Sequence, residues 1–427
     1  MGRFFILLIY NLLLPIFFII AFPAWLIKMA KRGGIGTGLL ERFSFYKGDA
    51  EFEKSGVVYI HAVSVGEVLI ALKLINEWLQ QHPNERILLV PTTATGHAVA
   101  KQQAPKNVRV IYSPLDFPII LKRVFKRFAP KQIILMESEI WPNMLDLARK
   151  KNIPVRIANG RLSHTSEKRY KQLSFLVKPL FNMIDHVCAQ EPEDKPRWEG
   201  IGFPSNKVTV TGSIKFDQSG ASAIVSKPEF EQMLDSLQGD VKRPVVMALS
   251  THAGEEEWIA ESLFPLRNDI LLVIVPRHAE RRDEVKNGVN KIGSRSILRS
   301  DFMIPSNTND TCLIVDSTGE LRNWTASADI AIVGKSILGK GGQNPTEAIA
   351  AKVPVITGEH MRNFEPLISR LRNSKSVVTV STKDELNKAV TKVISDAVLR
   401  ESLTTSALKV LQSHQGAATR TVDLLEM

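Results

Sequence analysis

Apolar and polar positions divide the chain into regions of different period. Phe4 to Ile27 is apolar throughout except for Tyr10 and Asn11, and at about 20 residues per bilayer core it is long enough to span a membrane. Pro15 and Pro23 fit a spanning helix whose freed carbonyls find other partners, and equally a kinked helix lying in the interface. From Val57 onward, short β-rich apolar runs alternate with helical stretches: Val57 to Ile60, Arg86 to Val90, Val108 to Tyr112, Gln132 to Met136, Pro154 to Ala158, His186 to Ala189 and Val208 to Thr211. Near-continuous apolar strands separated by helices predict a parallel sheet covered on both faces. The pattern weakens between Gln218 and Arg243, where an interdomain linker with a flanking helix is expected. A second series follows at Val245 to Leu249, Ile270 to Val275, Thr311 to Val315, Asp329 to Val333, Val353 to Thr357 and Ser376 to Val380. Two successive doubly wound α/β domains imply a cleft between the facing carboxyl edges of their strands. Lys383 to Leu425 reads as amphipathic helix able to pack back over the first domain. The expected divisions are residues 1–32 as anchor and basic collar, 33–217 as the first domain, 218–243 as linker, 244–400 as the second domain and 401–427 as a C-terminal helix.

Length and charge sharpen this picture. A chain of 427 residues is too long for one ordinary core and long enough for two. Cys188 and Cys312 lie far apart inside apolar runs, which argues against a disulfide framework and for a reducing compartment. The net charge of +11 points to anionic partners. The basic residues are scattered without aromatic interleaving, so a nucleic-acid platform is not expected. Lys28, Lys31 and Arg32 follow the apolar segment against Arg3 alone before it, which by the positive-inside rule places the bulk of the chain in the cytoplasm. No cleavage site follows the segment, so a retained anchor is expected.

Candidate chemistry gathers at strand ends. After the first run, Ser64-x-x-Glu67 precedes the apolar stretch from Val68. It reads as a capping box or as a carboxylate at the carboxyl edge of a sheet, where open α/β sheets bind ligands; local sequence favours the cap. Glu137-Ser138-Glu139 follows the Gln132 to Met136 run, and two acids leaving a buried strand are candidate site groups. Thr92 to His97 and Asn159 to Ser163 occupy equivalent positions, and Thr211 to Asp217 ends the last strand of this half with Lys215. In the second half Ser250 to Glu257 opens a helix rich in first-turn acids. Arg277 follows Pro276 where a phosphate can be held bidentately. Asp316 to Leu321 contains the Thr318-Gly319-Glu320 turn. Gly339 to Glu347 brings glycines, Asn344 and Glu347 into a helix start, which suits a nucleotide. Gly33 to Phe43 lacks the preceding strand and the spacing of a phosphate loop. No Gly-x-Ser-x-Gly or His-Glu-x-x-His occurs, and the nine histidines show no metal-ligand spacing.

Together, His61 to Glu67, Glu137 to Asn143, Ala158 to Ser163, Gly212 to Asp217, Ser250 to Glu257, Val275 to His278, Gly319 to Leu321 and Gly341 to Glu347 resemble the 3-deoxy-D-manno-octulosonic acid (Kdo) transferases of Gram-negative lipopolysaccharide synthesis. The likeness runs over roughly residues 36 to 420 and includes the N-terminal anchor. It implies a GT-B glycosyltransferase: two Rossmann-like domains facing a cleft, an anchor helix in the inner membrane and catalytic domains in the cytoplasm. Residues 33–217 would bind the acceptor, lipid IVA, and residues 244–400 the donor, CMP-Kdo. Transfer would invert the anomeric carbon and require no metal or other cofactor. Position by position, the family's general base falls on Glu67 and its transition-state-supporting acid and lysine on Glu137 and Lys215. Its CMP contacts fall on Pro276, Arg277, Thr318, Gly319, Glu320, Asn344 and Glu347. The chain departs from the family pattern at Gln343, Thr346 and Ala348, at Lys335 in place of a usual glycine and at Glu359 in place of a usual proline, which leaves the contacts around the donor sugar and phosphate open. Another membrane-associated nucleotide-sugar transferase and a non-catalytic nucleotide-binding scaffold are the alternatives.

Overall fold

A computed structural model describes residues 2–31, 37–48, 50–217, 224–238, 241–302 and 311–426. Arg32 of the basic collar, Gly33 to Gly36 of the glycine-rich stretch and residues 218–223 of the expected linker lie outside the described residues. The chain forms two units, one of residues 1–217 with 414–427, the other of residues 218–413.

In the first unit the strands are β1 (Val58–Ala62), β2 (Ile87–Pro91), β3 (Val108–Val110), β4 (Gln132–Met136), β5 (Val155–Gly160), β6 (His186–Ala189) and β7 (Val208–Val210). They pair in parallel in the order β3-β2-β1-β4-β5-β6-β7. Side chains alternate between the faces of a strand, and here both faces are apolar. Tyr59, Leu88, Val90 and Ile133 enter one core, while Val58, Ile60, Ile87 and Leu89 enter the other. This two-sided burial is why the sequence shows continuous apolar runs.

The second unit repeats the plan with β8 (Val245–Thr251), β9 (Leu271–Pro276), β10 (Arg295–Leu298), β11 (Thr311–Ile314), β12 (Ile330–Val333), β13 (Val355–Thr357) and β14 (Val378–Thr379). Their order is β10-β11-β9-β8-β12-β13-β14, again parallel. The strand order reverses beside β1 and β4 in the first sheet and beside β8 and β12 in the second. Such switch points are where open sheets leave a crevice at their carboxyl ends.

Three expectations need correction. Strand β10 was absent from the sequence pattern, because Arg295-Ser296-Ile297-Leu298 lies at a sheet edge and carries no continuous apolar run. The stretch 218–243 is not linker throughout: Pro228–Gln238 is a helix of the second unit, and Phe230 stacks on Trp324 with ring centroids 3.9 Å apart. The expected C-terminal division at 400/401 also shifts. Lys383–Ser395 and Ala397–Gln412 are separate helices, broken where the Asp396 carboxylate accepts the Leu399 amide at 2.8 Å, and both belong to the second unit. Only Ala417–Glu426 returns to the first unit, where Ala417, Ala418, Val422 and Leu425 join the core under the Val65–Gln81 helix.

Candidate active site

Strand and helix termini build the carboxyl edge of the first sheet. The chain leaves β1 at Ala62, and Ser64 caps the Val65–Gln81 helix in a complete capping box. The Glu67 carboxylate accepts the Val63 amide at 2.8 Å on Oε2, and the Ser64 amide at 3.2 Å and hydroxyl at 2.9 Å on Oε1. These bonds fix its rotamer while leaving it 8 % exposed. A carboxylate offers about four acceptor sites, so one remains for a substrate proton. The cap and the edge carboxylate are thus compatible roles of one residue.

Beside it, β4 delivers Glu137 in a left-handed conformation, φ 59°, with its amide bonded to Ala158 O at 3.0 Å. Burial pushes the Glu137 carboxyl up, Glu67 adds to the rise, and Arg161 and Lys215 oppose it. Glu139 is pushed up to about 7 by burial, then by Glu67 and Glu137. The Lys215 ammonium is pushed down by burial and by Arg161, against the pull of Glu137. Glu67, Glu137, Glu139, Arg161 and Lys215 therefore form one electrostatic group, and the structure brings together all three residues to which the sequence assigns chemistry in this half. His61, on β1, is fully buried against Trp141 and pushed down to about 3, so it stands neutral as a packed core histidine.

The turn that carries Lys215 is held from the far end of the chain. Asp217 accepts the Gly416 amide at 3.0 Å and the Ala418 amide at 2.8 Å. Buried His414 accepts the Ser213 amide on Nδ1 at 3.1 Å, and Asn159 Oδ1 accepts the Ile214 amide at 3.0 Å. Arg420 donates twice to Thr211 O, at 3.0 and 2.7 Å. Sequence reasoning found Lys215 but missed these supports, which carry no local signal.

The corresponding edge of the second sheet is built differently. Glu255, fully buried, accepts amides from His252 at 3.0 Å, Lys335 at 2.5 Å and Ile337 at 3.2 Å, so it braces the loop after β12 against the loop after β8. Gly334 is needed there, since a Cβ would lie 2.4 Å from Ser250 O. Glu256 pairs with Arg281 through both oxygens, at 2.8 and 3.3 Å. Pro276 ends β9, and Arg277, exposed, donates its amide to Thr251 O at 3.0 Å. Thr318 and Gly319 are exposed, with Gly319 at φ 81°. For Glu320, burial is outweighed by the Ser317 hydroxyl, Lys227 and Arg299, which hold the carboxyl below its usual range. Its oxygens bond Lys227 at 3.1 Å and Arg299 at 3.2 Å, so Thr318 and Gly319 are the parts of that turn open to a ligand.

Asn344 Oδ1 accepts the Thr346 amide at 3.1 Å and hydroxyl at 2.9 Å. The helix that follows, Thr346–Ala350, has only five residues, so its dipole is weaker than the sequence implied. Gln343 meets His252 Nε2 at 2.9 Å, and Glu347 is half-buried. Gly342, at φ 75°, approaches Met361 too closely for any Cβ.

Left-handed non-glycine residues mark both edges. Of the ten among the described residues, six lie at or just beyond helix ends, where such caps are common. The other four are at the carboxyl ends of strands: Glu137, Ser250 and Lys335 beside the switch points, and Asn159 on β5, one strand farther out. Conformations of this kind cost of order 1–3 kcal/mol each and cluster at ligand sites.

Comparison with known proteins agrees with this architecture. A family model described as 3-deoxy-D-manno-octulosonic-acid transferase (kdotransferase) matches residues 37–218. The 3-deoxy-D-manno-octulosonic acid transferase of Haemophilus influenzae is 36 % identical over 394 residues, covering 91 % of this chain and 90 % of the relative. That of Bordetella pertussis is 31 % identical over 424 residues, covering 94 % and 95 %. Among solved structures, MurG of Acinetobacter baumannii superposes with a TM-score of 0.55 at 16 % identity, covering 87 % of this chain and 99 % of that one. The UDP-GlcNAc 2-epimerase of Neisseria meningitidis gives 0.58 at 15 %, covering 87 % and 100 %. These structural likenesses bear on the fold, which is GT-B. With relatives this similar over nine-tenths of its length, the chain belongs to the Kdo transferase family and is a glycosyltransferase.

Proposed function

We propose that the chain transfers Kdo from CMP-Kdo to the lipid A precursor lipid IVA, with inversion at the anomeric carbon and Glu67 as general base. The observation that carries this reading is Glu67 at the switch point of the first sheet, fixed by three hydrogen bonds with one acceptor site remaining. A sugar hydroxyl of the acceptor gives its proton to Glu67 as its oxygen bonds the ketosidic carbon. The bond from that carbon to the CMP phosphate breaks, and the electron pair leaves with CMP. A base within hydrogen-bond reach contributes roughly a hundred- to ten-thousand-fold. Glu137 supports the positive charge that develops at the reacting carbon, and Lys215 the negative charge of the departing phosphate.

CMP is assigned to Pro276, Arg277, the Thr318-Gly319-Glu320 turn, Asn344 and Glu347. Exposed Arg277 supplies positive charge to the departing phosphate, which needs no proton. In this reading protein cations, not a bound metal, balance the leaving group. The Gly2–Ile27 segment, long and apolar enough to cross a membrane, holds the enzyme at the inner membrane with both units in the cytoplasm. Anionic lipids add about 1 kcal/mol for each Lys or Arg near the surface.

Mass spectrometry of lipid IVA incubated with CMP-Kdo and the full chain tests the assignment. A mass increase of one or more Kdo residues is expected, lost in Glu67→Gln. An unchanged acceptor, with UDP binding in preference to CMP by calorimetry, would replace it with a different nucleotide-sugar transferase.

A further inference from the structure

The Gly2–Lys31 helix is bound to the first unit along its length. At its start Arg3 Nε lies 3.8 Å from Asp146. Tyr10 and Asn11, the two polar residues inside the apolar segment, are its latch. The Tyr10 hydroxyl donates to buried Asp116 at 3.0 Å, and Asn11 and Asn143 exchange amide hydrogen bonds, both at 2.9 Å. Asp116 in turn accepts the Asn143 and Met144 amides at 3.0 Å, so the latch closes on the start of the Pro142–Lys150 helix. Farther along, Phe18 packs edge-on against Phe117 at 5.6 Å, and the Arg42 guanidinium sits 5.6 Å above Trp25. From Arg3 to Trp25 the rise of 1.5 Å per residue gives about 33 Å, the full thickness of a bilayer core at roughly 30 Å.

The opposite face is bare and apolar: Phe5, Ile9, Leu12, Ile16 and Ile19 are 51–71 % exposed. At its edge a groove of about 400 Å³ combines apolar walls, Phe4, Leu7 and Leu8, with Arg3 and Lys150, which share Asp146 at 3.8 and 2.5 Å, and with Lys122, three cations to one acid. Were the docked helix to cross the bilayer, Asp116, Asp146 and the exposed Lys122 and Lys150 would be carried into the hydrocarbon, where charged groups are costly.

We propose that this helix does not cross the membrane but lies in its surface plane, latched to the first unit by Tyr10 and Asn11, with its outer face in the acyl region and the cationic groove on anionic phospholipid headgroups. An apolar stripe bordered by cations is the chemistry that such a surface takes up. The proposal rests on reading the segment as a membrane anchor and adds its orientation. It makes the latch a determinant of how the catalytic edge of the first unit stands above the lipid.

The test uses the full chain carrying Gly2→Cys; Cys188 and Cys312 are buried and stay in place. Spheroplasts of producing cells are treated with a membrane-impermeant maleimide, alongside inverted membrane vesicles. Label in inverted vesicles and none in spheroplasts is expected, with the protein sedimenting with membranes. Label in spheroplasts overturns the in-plane orientation while leaving the anchor reading intact. A chain found wholly in the soluble fraction overturns both. Adding Tyr10→Phe with Asn11→Leu removes the latch and should expose Gly2→Cys to the outer reagent; unchanged protection removes the role of the latch. Lys122→Glu should weaken binding to phosphatidylglycerol-containing vesicles roughly ten-fold and leave binding to phosphatidylcholine vesicles as it was; equal binding to both refutes the headgroup contact.

Discussion

Glu67 and Glu255 stand at equivalent places in the two units, each in the first turn of the helix that follows the strand at the switch point. Each carboxylate accepts three hydrogen bonds. They differ in where the donors come from. Glu67 is bonded within its own turn, by Val63 and Ser64, and its further neighbours are acids, Glu137 and Glu139. Glu255 is bonded across the crevice, by Lys335 and Ile337, and has no exposed surface. Counting hydrogen bonds therefore does not separate the carboxylate proposed as a base from one that braces loops. What separates them is whether the bonds tie two loops together or only fix a rotamer beside other charges.

Exchanging each acid for its amide breaks this comparison most sharply. Glu67→Gln keeps the carbonyl that accepts the cap bonds, so the fold and CMP binding should persist while turnover falls roughly a hundred- to ten-thousand-fold. Product formation by mass spectrometry and CMP titration by calorimetry read the two effects separately. A folded Glu67→Gln enzyme of normal turnover would return this glutamate to a capping role alone.

Glu255→Gln should do the reverse. An amide puts a donor against at least the Ile337 N–H in place of an acceptor oxygen, and a lost charge-assisted bond in a buried site costs about 1.5–3 kcal/mol. Chemical denaturation should show that loss in the second unit, together with weaker CMP binding through the displaced Lys335 and Ile337 loop. Normal stability would mean that the brace is not a structural one.

These differences also mark what was legible in the sequence. Strands buried on both faces announce themselves as apolar runs, which is why Gln132–Met136 and His186–Ala189 are found at the expected bounds. Strand β10 is an edge strand and announces nothing. Glu67, Glu137 and Lys215 were singled out as strand-end candidates and took their expected roles from the family likeness, and their mutual electrostatic contact appears only once β4 and the turn after β7 are placed in the sheet with β1. The acids Glu255 and Glu256, in a first helical turn, and Glu320, just before one, looked alike in the sequence. Their partners, Lys335, Arg281 and Lys227, are 80, 25 and 93 residues away, a distance no local pattern encodes. The hold of Gly416 and Ala418 on Asp217, about 200 residues apart in sequence, is invisible for the same reason.

A smaller test concerns Lys335, which takes φ 56° just after β12, where the resemblance leads to the expectation of glycine. Left-handed strain in a non-glycine residue costs of order 1 kcal/mol or more, offset in part by the entropy that a glycine brings to the unfolded chain. Lys335→Gly should therefore raise the Tm by up to about 2–4 °C. It should also raise the KM for CMP-Kdo several-fold, because a cation is lost from the edge where His252, itself pushed down by burial and by Lys335, stands. A higher Tm with an unchanged KM would show that the strain serves no ligand.

The last test is a pH dependence at the acidic edge. Glu139 is pushed from its ordinary 4.5 up to about 7, first by burial and then by Glu67 and Glu137. Between those values the folded chain holds a proton that the unfolded chain has released, so stability falls with rising pH across that window. The contribution is fully present below about pH 4.5 and gone above about pH 7. Glu139→Gln cannot ionise, and its unfolding free energy should lose this part of the slope, so that the variant gains on the parent as the pH is raised. Denaturation midpoints at pH 5, 6, 7 and 8 check the sign. A parallel pair of curves would mean that Glu139 already ionises near its ordinary value and that Glu67 and Glu137 stand farther from it than the shared electrostatics of this edge require.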